Sequence, residues 1–326
     1  MSRFSFTAAV AVMAATWLSS PVRSSPLEEL ARRQDISPVI DINFPDPGIV
    51  QDANGLWHAY GTNNGVNVPM ATASSIEGPW TVSGNALPSV GAWSSGANIW
   101  APDVLQLADG SFVLYYSGEA ASTPGKHCIG TATSSSAAGP FVAQDEALAC
   151  PLDQGGAIDP AGFIDADGSV YVVYKVDGNA IGNGGSCGNT VEPIVPTPLM
   201  LQPLASDGTT RVGDPVQVLD RGDADGPLIE APSLVRTAAG LYILFFSSNC
   251  YATTLYDVSY ATADSVTGPY TKSAAPLLVT GDYGLEAPGG ASVLRDASAI
   301  VFHANCPAGR CMFERPITIT GRVVST

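Results

Sequence analysis

The sequence predicts an all-β fold: a five-bladed β-propeller, with four-stranded blades around a central channel. Three observations predict it. One pattern occurs five times, as DPGIVQDANGLWHAYGT, APDVLQLADGSFVLYYS, DPAGFIDADGSVYVVYK, APSLVRTAAGLYILFFS and APGGASVLRDASAIVFHA, with prolines at Pro47, Pro102, Pro160, Pro232 and Pro288. Each copy reads as an apolar strand, a polar turn and a second strand rich in Tyr, Phe, Val and Leu. The chain then continues into a third strand, and in three units into a Gly-Pro-aromatic turn (Gly78-Pro79-Trp80, Gly139-Pro140-Phe141, Gly268-Pro269-Tyr270) that opens a fourth. The third unit offers TPLMLQPLASDG at that place and the fifth CMFERPITITG. Residues 34–326 over five units leave about 58 residues each, which suits a four-stranded blade. A β-sandwich would not explain five similar units.

The start of the chain reads differently. Arg3 precedes an apolar run from Phe6 to Leu18, followed by small and polar residues. The run is too short for a membrane span and has the form of a secretory signal. The pair Arg32-Arg33 then looks like a propeptide processing site. Residues 1–33 are therefore expected to be signal and propeptide, and residues 34–326 a single propeller domain. The six cysteines, all beyond residue 33, fit disulfides in an extracellular, secreted protein. Pairing neighbours along the chain gives Cys128–Cys150, Cys187–Cys250 and Cys306–Cys311, one of 15 possible connectivities.

The whole chain carries a formal charge of −16. Residues 1–33 hold four arginines and two glutamates, so the remainder carries −18. Such a surface repels phosphate backbones and anionic membranes, which argues against nucleic acid or membrane partners and suits a neutral ligand. A monomer is expected. The third unit also carries a Gly- and Asn-rich insertion from Gly178 to Pro198, the kind that maps to a face loop.

The first strand of each blade lines the channel, so residues at each proline meet at one mouth. Asp46 and Asp159 directly precede their prolines, and Glu230 stands two residues before Pro232. Blades three and four are neighbours in a closed ring, which puts Asp159 beside Glu230 and Asp46 across the mouth. Opposed carboxyls are the equipment of glycoside hydrolysis: one protonates the leaving oxygen, the other activates water. A third carboxylate raises the acid's pKa by like-charge repulsion. The expected roles are Asp46 as general base, Glu230 as general acid and Asp159 as the residue that tunes and orients the acid. The separation across the mouth suits inversion. Blades two and five carry Ala101 and Ala287 before the proline, with Trp100 and Glu286 one residue earlier. The aspartate is thus no uniform structural feature, and Glu286 competes with Glu230 for the acid role or touches substrate beside Asp46.

At these residues the chain resembles glycoside hydrolase family 43. The segments are FPDPGIV around Asp46, NIWAPDV around Trp100, AIDPAGFID around Asp159, LIEAPSLV around Glu230 and VFHAN around His303. The resemblance runs from about Asp41 to the C-terminus and implies a five-bladed, inverting hydrolase with those base, modulator and acid residues. It implies action on α-L-arabinofuranosides, arabinan or β-xylosides of plant cell walls. Trp100 would wall the sugar site. His303 would contact an axial water or a calcium ion, although calcium's preference for oxygen makes a lone histidine an unusual ligand; no cofactor is required. The family's sugar-holding arginine is Arg310 or Arg315, with Arg295 expected at the surface. Lys175 and Asp177, spaced by two on one strand face, could reach the pocket. The leading expectation is an α-L-arabinofuranosidase. A β-xylosidase, an endo- or exo-arabinanase and a non-catalytic sugar-binding propeller are the alternatives. A fructose-cleaving propeller would want NDPNG where FPDPGIV stands.

Overall fold

The computed structural model describes residue 1 and residues 34–326, so the signal and propeptide expectation lies outside the described residues. Blade one holds β1 (Gly48–Gln51), β2 (Trp57–Tyr60), β3 (Pro69–Ala73) and β4 (Thr81–Asn85). Blade two holds β5 (Trp100–Gln106), β6 (Phe112–Glu119), β7 (His127–Ser134) and β8 (Val142–Ala143). Blade three holds β9 (Ala157–Ile164), β10 (Val170–Val176), β11 (Leu199–Leu204) and β12 (Val216–Leu219). Blade four holds β13 (Ile229–Arg236), β14 (Tyr242–Ser248), β15 (Ser259–Ala263) and β16 (Thr271–Lys272). Blade five begins with β17 (Gly289–Val293), β18 (Ala299–Cys306) and β19 (Gly309–Pro316). Each of these sheets is an antiparallel meander in chain order.

Blade five is completed by the start of the domain. Ile40 bridges to Met312 on the outer edge of β19, and Phe44 N–H donates to the Arg310 carbonyl at 2.8 Å. The segment expected to supply the fourth strand instead forms a separate hairpin, β20 (Thr318–Thr320) with β21 (Val323–Ser325). Its Ile317 and Val324 pack into the core between blades four and five. The N-terminal segment thereby closes the ring and hands the chain straight to Asp46.

The buried apolar residues fall into five clusters, one at each blade–blade interface. Five blades with five shared interfaces can only be a closed ring. The three Gly-Pro-aromatic turns each carry a cis Gly–Pro bond. All three expected disulfides are present: Cys128–Cys150, Cys187–Cys250 and Cys306–Cys311.

The repeat has a backbone signature that side-chain identity conceals. The residue before each proline lies in the left-handed region: Asp46 at φ 53°, Ala101 at 40°, Asp159 at 56°, Ala231 at 51° and Ala287 at 49°. Residues with a Cβ avoid this region, so each copy holds a locally costly conformation. In blades two, three and four the first-strand pairing shifts register across this step.

A second device links the blades. A polar residue in or just after each second strand reaches the start of the next blade. Thr62 Oγ1 accepts from Ala101 N–H at 2.8 Å, Ser117 Oγ from Asp159 N–H at 2.9 Å and Ser247 Oγ from Gly290 N–H at 2.9 Å. In blade three the residue is Lys175, which donates to Glu230; in blade five it is His303, whose Nδ1 lies 3.2 Å from Asp46 N.

Candidate active site

A pocket of about 380 Å³ opens at the mouth where the pre-proline residues converge. Asp46, Asp159, Asp177, Glu230, Trp100 and Arg310 all line it, so six of the residues singled out in the sequence come together. The inserted loop of blade three adds Asn179, Cys187 and Gly188, and the loop after β14 adds Tyr251 and Tyr256.

Three side chains grip Asp46, one from blade one and two from blade five. Thr62 Oγ1 donates to its Oδ2 at 2.6 Å. Arg310 Nη1 donates to Oδ1 at 3.2 Å, and His303 Nδ1 lies 3.2 Å from the same oxygen. The strand after Pro288 must leave room for this arrangement. A Cβ on Gly290, at φ +59°, would stand 2.7 Å from the His303 ring and 3.1 Å from Asp46 Oδ1. Burial alone would raise the Asp46 pKa, but Arg310, His303 and Thr62 outweigh it and hold the carboxyl well below the usual range. Asp46 therefore stays ionised at pH values where an ordinary carboxyl would already hold a proton. Burial lowers the His303 pKa, which favours the neutral ring.

Across the pocket, Asp159 and Glu230 form a buried acidic pair. Asp159 Oδ2 accepts from the Ala231 N–H at 2.9 Å, which ties blade three to blade four. Glu230 accepts from Lys175 Nζ at 3.0 Å on Oε2 and from Tyr256 O–H at 2.9 Å on Oε1. Burial raises the Asp159 pKa, and the Glu230 charge raises it further against the opposing pull of Lys175. The like charge of Glu230 makes ionising Asp159 more costly, which favours a proton on Asp159.

Comparison with known proteins gives the family and the fold. The model of "Glycosyl hydrolases family 43" matches residues 36–323. The chain belongs to that family. The "Probable arabinan endo-1,5-alpha-L-arabinosidase A" of Aspergillus flavus is 38% identical over 94 residues, 28% of each chain. Its Aspergillus fumigatus counterpart is 41% identical over 98 residues, 28% of this chain and 29% of the relative. These matched stretches thus span under a third of the relatives' lengths. Among solved structures, a thermostable family-43 glycoside hydrolase superposes with a TM-score of 0.73 at 24% identity, over 86% of this chain and 92% of that one. An endo-arabinase from Bacteroides thetaiotaomicron gives 0.71 at 20% identity, over 88% and 99%. At those identities the superpositions speak for the fold.

In this family-43 chain some expected contacts fall elsewhere. Lys175 does not line the pocket: it is 0% exposed and pairs with Glu230 and, at 3.0 Å, with Asp177. It acts on the acidic pair, where the sequence suggested a sugar contact. Glu286 is exposed, accepts from Asn305 at 3.1 Å and stands outside the pocket lining, so the rival acid is not in place. Of the arginines considered, Arg310 lines the pocket. Arg315 lies over the Tyr283 ring, and Arg295 donates to the Gln106 carbonyl at the far end of the inner strands. Trp100 stacks on His127 with centroids 3.8 Å apart, which braces the indole from behind.

The surroundings of His303 do not fit a calcium ion. Nδ1 faces Asp46, and Nε2 lies 3.4 Å from the Arg310 guanidinium, whose charge repels a cation. Calcium also takes six to eight oxygen ligands.

Thr62, Tyr251 and Tyr256 escaped the sequence reading. Thr62 had a signal: it falls in or just after the second strand of its repeat copy, as Ser117, Lys175, Ser247 and His303 do in theirs. Tyr251 and Tyr256 lie on a loop with no counterpart among the repeats and carried none.

Proposed function

We propose that this protein hydrolyses α-L-arabinofuranosyl linkages in arabinan, with inversion at the anomeric carbon. One observation carries the chemistry: a single pocket holds Asp46, whose pKa is pressed down by Arg310, and, facing it, Asp159 beside Glu230, where burial and the Glu230 charge push the Asp159 pKa up. Environments that push proton affinities apart in this way assign a base and an acid. Asp46 takes a proton from water as the water oxygen bonds to the anomeric carbon. The glycosidic C–O bond breaks on the opposite face, and the departing oxygen takes the proton of the Asp159–Glu230 pair. Arg310 keeps Asp46 ionised until the water proton arrives. Trp100 offers an apolar face to the sugar.

Glu230 is assigned the delivery of the proton, with Asp159 tuning it. The raised pKa of Asp159 favours a second reading in which Asp159 delivers the proton, with Glu230 held beside it by Lys175 and Tyr256. For the substrate, the names of the Aspergillus relatives favour arabinan cut at internal 1,5-linkages over the arabinofuranosidase first expected. An exo-acting enzyme is the second reading, favoured by the Cys187–Gly188 wall that the insertion adds to the pocket. Extracellular action on plant polysaccharide fits the three disulfides.

The test is a sugar-release panel on linear arabinan, arabinoxylan and aryl glycosides. Oligomers from linear arabinan support an endo-arabinanase, and arabinose alone an exo-acting enzyme. Xylose from aryl xylosides without cleavage of any arabinoside would overturn the substrate assignment.

A further inference from the structure

The loop after β14 does two things at once. Its Tyr256 hydroxyl donates to Glu230 Oε1 at 2.9 Å, which positions the acidic pair. Five residues earlier, Tyr251 lines the same pocket and remains 48% exposed. This ring is held on two sides. Cys250, its chain neighbour, is buried and cross-linked to Cys187 of the blade-three insertion. The Thr253 N–H and hydroxyl both donate to the Cys250 carbonyl, at 2.9 and 2.8 Å, which fixes the turn carrying Tyr251. The Arg310 guanidinium lies 5.0 Å from the ring centroid, within cation–π range.

We infer that Tyr251 is a specificity-determining platform for a second sugar residue, the one on the leaving-group side of the bond being cut. This rests on the hydrolase reading above. A sugar ring presents polarised C–H groups that suit the negative face of an aromatic, and the phenol hydroxyl can pair with a sugar hydroxyl. The leaving group departs toward the acidic pair, and the loop that orients Glu230 is the one presenting Tyr251. Preorganisation matters here, because a ring already fixed by a disulfide and a cation loses little freedom when a sugar settles on it. Trp100, from blade two, then serves the sugar that is attacked, and Tyr251, from blade four, the sugar that leaves.

The experiment measures kcat and KM on linear arabino-oligosaccharides for the wild type, Tyr251→Phe and Tyr251→Ala. It adds calorimetric binding of the same oligosaccharides to Glu230→Gln, with and without Tyr251→Ala. Tyr251→Ala is expected to raise KM about fivefold to tenfold, with kcat changed less than twofold, and to weaken binding by the same factor. Tyr251→Phe is expected to stay within about threefold of wild type, since the face is kept. A loss confined to kcat with KM unchanged would show the ring acting through Arg310 on Asp46, and would overturn the platform. Unchanged KM and binding in Tyr251→Ala would also overturn it. Wild-type protein that cleaves no arabino-oligosaccharide would sink the arabinan assignment alone; the same variants are then compared on the glycan it does cleave.

Discussion

Replacing Lys175 with methionine tests the idea that a buried cation governs the acidic pair. The two side chains are both unbranched and of similar length, so packing is largely kept and the change is mainly one of charge. Lys175 Nζ sits 3.0 Å from Glu230 Oε2 and 3.0 Å from Asp177 Oδ1, with no exposure of the residue. Removing one partner of a buried ion pair costs about 3–5 kcal/mol. A carboxyl that takes up a proton in place of the lysine recovers part of that, leaving about 2–4 kcal/mol. At about 2–4 °C per kcal/mol for a chain of this size, the melting temperature should fall by roughly 5–15 °C. The sign of the pH effect follows from the charges. The folded-state pKa of Lys175 is raised above its ordinary 10.5: burial opposes the shift, and Asp177 and Glu230 outweigh it. Its contribution is therefore fully present below that value and lost only at higher pH. Lys175 also pulls the Asp159 pKa down, so its loss lets the pair keep its proton to higher pH. A unit charge about 4 Å away is worth roughly 4 kcal/mol at an effective dielectric of about 20, an upper limit near three pH units. Water entering the site and the second partner, Asp177, reduce this to about one to two. The assay is the pH profile of kcat/KM with melting curves at each pH. The alkaline limb should move up. A limb that stays in place or moves down would refute the reasoning, as would a melting shift under about 2 °C.

Two further outcomes follow from the same contacts. Arg310→Met removes the charge that does most to depress the Asp46 pKa, so the acid limb of kcat/KM should rise toward ordinary carboxylate values and activity at pH 4 should fall more than at pH 6. The stability that Asp46 contributes is present above its unfolded pKa and lost as pH falls through its folded value, so in Arg310→Met this loss should set in at higher pH in thermal melts. Glu230→Gln and Asp159→Asn separate the two acid assignments: the variant lacking the true donor should keep turnover of aryl arabinosides with very acidic leaving groups while losing arabinan hydrolysis, and the other should show no such dependence on leaving group.

Much of this site was legible because a propeller converts sequence period into spatial convergence. Asp46, Asp159 and Glu230 are 71 or more residues apart between blades three and four and farther from blade one, yet the prolines mark the height at which they meet. Ring order then pairs Asp159 with Glu230 without further information. Cysteines followed the same logic, each pair tying adjacent blades or one hairpin. Burial was the property the repeat could not give. Lys175 and Glu286 look alike as charged residues near a blade mouth, but one lies under Glu230 with no exposure and the other faces solvent against Asn305. The left-handed backbone before each proline was equally hidden, because alanine occupies three of the five places. The fifth blade's outer edge depended on where the N-terminal segment docks, which no repeat copy encodes.

The central claim is that a base on blade one and an acidic pair on blades three and four cleave a glycosidic bond by direct displacement with water. Proton NMR of the first sugar released from linear arabino-oligosaccharides tests it most directly. The account predicts that the β-anomer appears first and then mutarotates toward equilibrium. Initial release of the α-anomer would mean a covalent intermediate and contradict the roles given to Asp46 and the Asp159–Glu230 pair.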